Sequence, residues 1–486
     1  MLGLLALDRR AAEPLPEQIY RRVREDILAG RLAPGTRLPP TRALAREMRV
    51  ARNTVVATYE RLLHEGYLVS RIGSGTHVAE LPPDLLLSVR APGAVAGGPG
   101  SPTRLSTRGL AVVSARRSAH DPARRAFQPG LPELRQFPHP LWARLLQRHA
   151  RRPARGTLGY GFAAGLPALR AAIARHVGAA RGVVCTPDQV IVVAGAQAGL
   201  DLVCRLLLDP GDAAWIEEPG YLGARGALLG AGADLVPVRV DADGLDVAAG
   251  AARAPNARLV YTTPSHQFPL GVTMTLPRRL ALLDWAAHAG AWVVEDDYDS
   301  EYRYAGRPLP AMQGLDAGGR VVYLGTFSKT MFPALRAGWV VVPKPLAEPF
   351  AVAIRNTGHG VPAVVQAALA DFIDEGHFAA HVRRMRGLYA KRQAVLVASA
   401  QRHLQGRLVV EPADAGMQIA ARLSGRSDDR ALSAALDEAG VVAPPLSAYA
   451  LGRAPVRGLF LGYAGVPERE IAAAVQTLGR VLARRA

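Results

Sequence analysis

One lysine in this chain stands among residues that could make use of a reactive amine. The sequence contains only three lysines, Lys329, Lys344 and Lys391, and its other long cationic side chains are all arginines. Arginine solvates and pairs as well as lysine does, but a guanidinium cannot lose its proton and condense with an aldehyde to form a Schiff base. We therefore interpret Lys329 as a candidate Schiff-base amine. The alternative is a stray surface lysine, and its neighbours decide between the two.

The neighbours of Lys329 in GTFSKTMFPALRAGW favour phosphate binding beside that amine. Thr326 and Ser328 offer hydroxyl groups, and Arg336 offers a bidentate grip on a phosphate. Because the stretch follows the apolar run RVVYLGT, Lys329 is predicted on a loop after a buried strand, where α/β enzymes place their reactive groups. An amine that forms a Schiff base next to phosphate-binding groups indicates pyridoxal 5′-phosphate (PLP).

Carboxylates in a second stretch can hold the pyridine nitrogen of that cofactor. The ring withdraws electrons when an acid keeps its nitrogen protonated. The stretch VVEDDYDSEY places Glu295, Asp296 and Asp297 at the end of another apolar run. Three acids in succession after a buried strand are costly unless a cation lies against them; the alternative is a surface cap. Tyr298 follows directly, and its phenol near the ring's 3-oxygen would tune the pKa of the Schiff base.

Two further stretches offer contacts of other kinds. The pattern of VVAGAQAGLDL predicts a strand, a small-residue turn and a helix start, so the backbone amides of Ala196 and Gln197 can surround a phosphate. The stretch EEPGYLGAR places Tyr221 on a loop after a strand, where its ring can stack on the pyridine. Each signal is weak alone, but their order and spacing make them strong together.

Composition and charge limit the class of protein. The chain has 486 residues, of which 49% are hydrophobic, and at roughly 100–200 residues per domain it forms two to four domains. Of its net charge of +18, most lies near the beginning: residues 1–80 contain 13 arginines against 9 acidic residues, and residues 81–156 contain 13 against 3. A basic end on a near-neutral body predicts a polyanionic partner, most often nucleic acid; the alternative is an arginine-rich coding bias.

Cysteine content and hydropathy favour the cytoplasm. Cys185 and Cys204 lie in apolar surroundings without metal-ligand spacing, so we expect neither a disulfide framework nor a metal site. No apolar run reaches the ~18 residues of a membrane helix. The stretch MLGLLALDRR lacks the basic leader and the cleavage site of a signal peptide. We therefore expect a cytoplasmic protein without a membrane partner.

The pattern divides the chain into three segments. Residues 14–80 predict a helix, a short helix, a turn, a helix and a hairpin, which is the order of a mostly helical winged helix-turn-helix domain. Residues 81–122 are rich in Pro, Gly, Ser, Ala and Arg and predict a flexible linker. The linker arginines either solvate it or touch DNA phosphates; both interpretations stay open.

Residues 123–486 predict an α/β domain with a largely parallel sheet, followed from about residue 375 by a smaller α+β subdomain. Helical stretches alternate here with apolar runs typical of buried strands. The predicted strands are QVIVVAG, DAAWIEE, LVYTTP, AWVVEDD, RVVYLGT and AGWVVVP.

Taken together, the sequence motifs resemble those of two known families. Residues 127–486 resemble the fold-type I aminotransferases through LGYGFAAGLPALR, AGAQAGLDL, EEPGY, TPSHQFPLG, EDDYDSEYRY and GTFSKTMFPALRAGW, which follow in family order. Residues 14–80 resemble the GntR-type winged helix through ILAGRLAPGTRLPPTRALA, VARNTVVATYERLLHEGYL and GSGTHV. The fusion of both through a linker is similar to the MocR subfamily of transcriptional regulators.

The resemblance implies roles for individual residues of the cofactor site. Lys329 matches the Schiff-base lysine. Asp296 matches the carboxylate at the pyridine nitrogen, with Asp297 as the alternative in a register shifted by one, and Tyr298 matches the 3-oxygen partner. The other matches are the phosphate contacts and the ring-stacking aromatic: Ala196, Gln197, Thr326, Ser328, Arg336 and Tyr221.

The resemblance also implies partners. Tyr160 in LGYGFAAG is similar to a tyrosine that reaches the phosphate from the other subunit, which implies a homodimer with shared cofactor sites. In the winged helix, Arg42, Arg52 and Thr54 match groove and phosphate contacts to double-stranded operator DNA, and Gly75 matches the wing tip.

The sequence departs from the enzyme pattern at two positions. Catalytic members carry an arginine that grips the α-carboxylate of the substrate, and GLFLGYAGV has Phe460 at that position. In HQFPLG, Phe268 stands where many of these enzymes have an asparagine. A missing carboxylate clamp leaves an amino acid poorly oriented for transamination. Arg225, Arg453 and Arg457 are candidates for an anionic effector group; for each of them, surface arginine is the alternative.

These observations predict a PLP-binding transcriptional regulator. Its aminotransferase-like domain would sense PLP itself, or a small amine compound that reacts with bound PLP, and alter operator binding. Two alternatives stay open: a working PLP-dependent aminotransferase that carries a DNA-binding domain, and a relic that binds DNA without a cofactor.

Overall fold

The computed structural model describes residues 7–9, 11, 13–71, 73–80, 105–114, 126–154, 157–159, 161–306, 310–425, 427–452 and 456–484. The chain divides into two compact units, Met1–Thr103 and Arg104–Ala486, which are described separately. Among the described residues, no helix is both long and apolar enough to cross a membrane.

The first unit is a winged helix-turn-helix, as the sequence predicts. Three helices are followed by an antiparallel hairpin; their bounds are α1 Leu15–Leu28, α2 Thr41–Glu47, α3 Arg52–His64, β1 Leu68–Arg71 and β2 Gly75–Val78. The order of these elements places α3 in the position of the helix that enters the major groove.

The core of this unit follows from the helical spacing of its apolar residues. Ile19, Val23 and Ile27 recur every four residues on α1, and all three are buried against the residues that α3 contributes. On α3, Val55 and Tyr59 have the same spacing and are also buried. The apolar faces of the two helices therefore hold the first unit together.

The second unit is built around a mixed sheet of eight strands among its described residues. The spatial order is β3–β10–β9–β8–β7–β4–β5–β6. The strands are β3 Val190–Val193, β4 Ala213–Glu218, β5 Asp234–Asp241, β6 Gly244–Leu245, β7 Leu259–Thr262, β8 Trp292–Asp297, β9 Val321–Thr326 and β10 Gly338–Val341. The pairings β5–β4–β7–β8–β9 are parallel, whereas β10 is antiparallel to β9 and β3, and β6 is antiparallel to β5. All six predicted strands are present.

Helices cover this sheet and bury its strands. Every residue of β3, β7, β9 and β10 is buried, which explains why these strands are continuous apolar runs. The helices up to the C-terminal subdomain are α4 Thr107–Ser114, α5 His139–Arg151, α6 Pro167–Arg181, α7 Ala196–Leu207, α8 Leu222–Ala231, α9 Val247–Arg253, α10 Leu276–Ala289, α11 Ala347–Thr357 and α12 Ala363–Asp374.

A smaller C-terminal subdomain adds a second sheet and three helices within the described residues. Its strands form an antiparallel sheet in the order β11–β12–β13, and its core includes Phe127 from the beginning of the domain. The elements are β11 Leu408–Val409, β12 Gln418–Leu423, β13 Gly458–Gly462, α13 His377–His403, α14 Asp429–Glu438 and α15 Glu468–Arg484. The predicted smaller α+β subdomain is therefore present.

Helix α4 lies within the segment that the sequence assigns to the linker. Of residues 81–122, the structure describes residues 105–114, and most of them form α4. The helix packs on α8, where a Cβ atom at Gly230 would lie 3.4 Å from the Val112 side chain. The composition of this segment does not predict a helix.

Candidate functional site

A cavity of about 470 Å³ opens where β3, β8 and β9 end. Because carboxyl ends of parallel strands meet at one edge of a sheet, residues distant in sequence converge there. Nine of the ten predicted cofactor residues line it, and the tenth, Tyr160, lies outside the described residues. The nine are Ala196, Gln197, Tyr221, Asp296, Tyr298, Thr326, Ser328, Lys329 and Arg336.

Lys329 is half-buried in this cavity and points toward the beginning of the domain. Its Nζ donates a hydrogen bond of 2.8 Å to the carbonyl oxygen of Gly130. Gly130 has φ 74°, and a Cβ atom there would lie 2.7 Å from Lys329 Nζ. A side chain at position 130 would therefore displace the amine. The sequence analysis missed Gly130, since its only local signal is the turn-forming stretch QPGLP.

Asp296 has one carboxylate oxygen without a partner. Its Oδ2 accepts a 2.7 Å hydrogen bond from the Tyr261 hydroxyl, while its buried Oδ1 has no hydrogen-bond partner among the described residues. Burial raises the pKa of Asp296 to about 7, and the Lys329 charge acts against that shift. A buried acceptor without a donor costs free energy. The protonated ring nitrogen of PLP is a donor of the kind that this oxygen lacks, so the residues present fit the cofactor.

Asp297 faces a different environment from its neighbour. Its Oδ2 accepts hydrogen bonds from Arg181 Nε at 2.7 Å and from the Tyr323 hydroxyl at 2.7 Å. Burial acts to raise the pKa of Asp297, but the Arg181 guanidinium holds it below its usual value. Asp297 does not line the cavity. The geometry therefore favours Asp296 as the group that meets a ligand.

A cluster of groups that could bind an anion lies along another part of the cavity surface, and we call it the anion-binding cluster. Gly195, with φ 92°, precedes the first residue of α7, and the amides of Ala196 and Gln197 are at the helix N-terminus, where backbone N–H groups have no helical partner. Ser328 donates its backbone N–H to Thr326 Oγ1 at 3.1 Å, which holds the loop after β9 in place.

Arg336 completes this cluster from an uncommon backbone conformation. It has φ 50°, in the left-handed region, and it follows the short helix of residues 333–335. Residues other than glycine rarely adopt that backbone conformation, and such strain concentrates at functional sites. The conformation presents an exposed guanidinium at the cavity wall.

A buried hydrogen-bond network connects Tyr298 with the C-terminal subdomain. The Tyr298 hydroxyl lies 3.0 Å from His266 Nδ1, which lies 3.1 Å from both carboxylate oxygens of Asp299. Gln418 on β12 donates to Asp299 Oδ2 at 3.4 Å and accepts from the backbone N–H of Gly130 at 3.0 Å. These positioning residues were not predicted from the sequence: His266 stands in the motif TPSHQFPLG, but no periodicity or spacing connects it with Gln418.

Aromatic side chains form a third part of the cavity wall. Phe268 and Tyr449 line the cavity with ring centroids 5.3 Å apart, and Phe460 packs behind them at 5.1 and 5.6 Å. Phe268 also contacts the ring of Tyr221 edge-on at 5.4 Å. We call Phe268, Tyr449 and Phe460 the aromatic wall. The Tyr221 hydroxyl donates to Gln197 Oε1 at 3.3 Å, so its ring bridges the aromatic wall and the anion-binding cluster.

Two of the three candidate effector arginines, Arg225 and Arg457, do not line this cavity. Arg457 donates to the backbone oxygen of Ser427 at 3.5 Å, and neither it nor Arg225 is among the cavity residues. Arg453 lies outside the described residues. The position of the expected carboxylate clamp is taken by Phe460, which is 1% exposed.

The predicted DNA contacts lie on the exposed side of the winged helix. Arg42 on α2 and Arg52 at the first turn of α3 are exposed, and neither pairs with an acidic side chain of the described residues; Thr54 is half-buried. Gly75 has φ 97°, and a Cβ atom there would lie 3.3 Å from Arg37 Nε. Arg37 therefore adds a cation beside the wing that the sequence analysis did not single out.

Each of the two units matches a known protein family. Residues 15–78 match the bacterial regulatory proteins of the gntR family, and residues 133–478 match aminotransferase class I and II. Along nearly its full length, the chain is similar to the probable rhizopine catabolism regulatory protein MocR of Rhizobium meliloti, with 50% identity over 98% of this chain and 95% of the relative.

This chain belongs to the MocR-type transcriptional regulators. Another relative is the pyridoxine biosynthesis transcriptional regulator PdxR of Corynebacterium glutamicum, with 33% identity over 81% of this chain and 80% of that protein.

The solved structures similar to this MocR-type regulator include aminotransferases. Kynurenine aminotransferase of Pyrococcus horikoshii superimposes with a TM-score of 0.69 and 26% identity, over 79% of this chain and 96% of that one. Its structure was determined with PMP, the amine form of the cofactor. The effector domain of this regulator therefore has the fold of a PLP-dependent class of proteins, joined to a GntR-type DNA-binding domain.

Proposed function

We propose that this regulator holds PLP covalently on Lys329 and changes its operator affinity when a small amine, or PLP itself, occupies the effector domain. The observation that supports this most directly is the combination in one cavity of Lys329, the unpartnered Oδ1 of Asp296 and the anion-binding cluster around Ala196. When bound, PLP supplies an aldehyde that condenses with amines and a protonated ring that withdraws electrons.

Each described residue has a distinct task in this proposal. Lys329 is the amine that binds the aldehyde carbon, and Asp296 accepts a hydrogen bond from the ring nitrogen. Arg336 and the α7 amides bind the phosphate, whose charge the helix N-terminus also favours. Tyr298, whose hydroxyl lies 3.0 Å from His266 Nδ1, would donate to the 3-oxygen.

A DNA titration tests the regulatory part of this proposal. Full-length protein, free of PLP or loaded with it, is titrated against the DNA upstream of its own gene at one fixed salt concentration, because such affinities depend steeply on salt. A change in affinity or footprint caused by PLP alone makes PLP the signal. Tight binding that changes only after a small amine is added makes the amine the signal. If neither ligand changes affinity or footprint, the proposed regulation is wrong.

Arg52→Ala is the matched variant for the DNA half. If Arg52 contacts a base, its loss weakens binding to the preferred sequence by roughly 1–3 kcal/mol and relaxes specificity at that base pair. Arg402→Ala, which removes an exposed arginine on α13, is the control and should leave DNA affinity unchanged. An equal loss on all DNA sequences makes Arg52 a phosphate contact instead.

The alternative, a working aminotransferase, is tested on the same preparation. Conversion of an amino acid to its keto acid, followed by return of the amine to a second keto acid, would support turnover. The burial of Phe460 at the expected position of the carboxylate clamp argues against it, because an α-carboxylate would find no cation there.

We also propose that two copies share their cofactor sites through Tyr160. The described residues on either side of it, Leu158 and Phe162, are 85% and 50% exposed, which is a large exposure for apolar side chains and is typical of an interface. Co-expression of Lys329→Ala with Tyr160→Ala tests this arrangement. Mixed dimers would contain one intact site and regain covalent PLP, whereas a monomer in sedimentation would contradict the proposal.

A further inference from the structure

The aromatic wall offers a ligand almost no charge. Phe268 and Tyr449 line the cavity, and Phe460 closes the space behind them. Among the described lining residues the only cationic side chains are Lys329 and Arg336, and the proposed function uses both, one for the aldehyde and one for the phosphate. Within the described part of the chain, a carboxylate on the effector would therefore lie against aromatic rings without a cation to pair with, which is unfavourable in a desolvated site.

The polar groups near the wall also favour a ligand without an anionic group. The amide of Gln418 is engaged on both sides, by Asp299 and by the Gly130 backbone. The Tyr449 hydroxyl has no hydrogen-bond partner in the part of the chain that the structure describes. Burial raises the pKa of Tyr449, so the hydroxyl stays neutral. It can hydrogen-bond a neutral polar group but cannot neutralise an anion.

We propose that the aromatic wall selects a primary amine whose remainder carries no carboxylate, rather than an α-amino acid. The proposal rests on the proposed function, since the amine is captured at the carbon that Lys329 holds. In that exchange the ligand nitrogen forms a bond to this carbon while the bond from Lys329 Nζ breaks. Two protons pass from the ligand nitrogen to Lys329, so the lysine leaves as an amine and no oxidant or reductant is needed.

Matched pairs of amines test this selectivity. PLP-loaded full-length protein is titrated with 2-phenylethylamine and L-phenylalanine, and with ethylamine and L-alanine; within each pair the compounds differ only by the carboxylate. The readouts are the visible absorbance of the bound cofactor and the midpoint of thermal unfolding. The same pairs with free PLP provide the intrinsic reactivity. The carboxylate-free amine is the more protonated member of each pair, so reactivity alone does not favour it.

We expect the carboxylate-free amine to act at a concentration at least about tenfold lower than its partner, after correction for free PLP, because an unpaired buried charge loses one strong hydrogen bond or more. Equal potency, a preference for the amino acid, or no response to either member while the cofactor band is present would overturn the selectivity and leave the proposed function intact. Absence of the cofactor band would overturn both.

Two variants at Phe268 connect the selectivity to the wall. Phe268 is half-buried and lines the cavity, so Phe268→Arg places a cation where an effector carboxylate would lie. We expect the preference for the carboxylate-free amine to fall at least about tenfold. Phe268→Leu keeps the wall apolar and should retain the preference. An unchanged preference in a folded Phe268→Arg protein would overturn the role of the wall, and if that variant does not fold, the matched pairs on the natural protein decide.

Discussion

The cofactor part of the cavity and its aromatic wall differ in origin as well as in chemistry. The cofactor part is built from strand ends of the large sheet and a helix N-terminus, with Asp296 near the end of β8, Thr326 as the last residue of β9 and Ala196 as the first residue of α7. Two of the three rings of the wall, Tyr449 and Phe460, come from the C-terminal subdomain. Because different elements position the two parts, we expect that ligand selectivity can change while the proposed covalent attachment of the cofactor is kept.

The two parts also differ in the kind of group that lacks a partner. The cofactor part contains an unpartnered buried carboxylate oxygen on Asp296 and a left-handed backbone at Arg336. The aromatic wall is a set of well-packed edge-to-face rings, and its polar group without a partner among the described residues is the neutral hydroxyl of Tyr449. Unsatisfied or strained groups persist where a ligand repays their cost. The cofactor part is therefore prepared for one definite partner, whereas the wall mainly excludes charge.

The largest effect is expected for Lys329→Ala. Without an amine at this position no covalent bond to the cofactor aldehyde can form, so the visible band and the product of borohydride reduction should both disappear while the fold remains. Mass spectrometry after reduction measures this directly. Lys344→Ala is the control, because Lys344 lies after β10 and does not line the cavity. If Lys329→Ala still forms a borohydride-reducible bond to the cofactor, Lys329 is not the attachment site. The distinction between the two parts of the cavity would then be wrong.

The next largest effect is expected for Asp296→Asn on cofactor affinity. The substitution keeps the shape of the side chain but removes the charge that would face the protonated ring nitrogen. Loss of a charged hydrogen bond in a buried site corresponds to roughly 10- to 100-fold weaker binding. Titration of the PLP-free protein by absorbance measures it. An unchanged affinity would mean that Asp296 does not meet the ring.

Although Asp296→Asn should weaken PLP binding, we expect it to stabilise the PLP-free protein against unfolding. The pKa of Asp296 is about 7 in the folded chain, above its ordinary value, so the unfolded chain loses this proton first as pH rises. Asp296 therefore lowers stability progressively from about pH 4 to pH 7, and the loss is constant above that. We expect Asp296→Asn to unfold at higher denaturant concentration at pH 8, by roughly 1–2 kcal/mol, because part of the gain is offset by an unpaired amide.

That stability difference should shrink as pH falls toward 5, which separates titration of Asp296 from a general packing effect. Asp297→Asn is the matched comparison. It breaks the buried pair with Arg181, so it should destabilise the protein across this pH range. If both variants shift the free energy of unfolding in the same direction, the different environments that we assign to Asp296 and Asp297 are wrong.

The smallest effect is expected for Arg336→Lys. A lysine keeps the charge near the phosphate but loses the bidentate geometry of the guanidinium, so PLP affinity should fall by roughly three- to tenfold. The ratio of responses to 2-phenylethylamine and L-phenylalanine should stay the same, because Arg336 belongs to the cofactor part. A change in that ratio would show that the two parts are not independent.

Local pattern explains which strands could be predicted from the sequence. The runs at Val190–Val193 and Val321–Thr326 are continuous and apolar because both faces of the sheet are covered there. Strand Asp234–Asp241 was missed, since polar residues interrupt it and Pro237 stands in its middle. It lies near the edge of the sheet, where parallel pairing with β4 stabilises it in spite of that composition.

The sequence by itself determined the two units and the family and predicted the chemistry of Lys329, because residue type, local period and motif order are properties of the chain. Only the tertiary structure distinguished Asp296 from Asp297: successive side chains of a strand point to opposite faces, and the fold decides which face meets the cavity. It also brought His266, Asp299 and Gln418 together and placed Phe460 behind Phe268. Those contacts join distant segments, and no local pattern encodes which distant residues will meet.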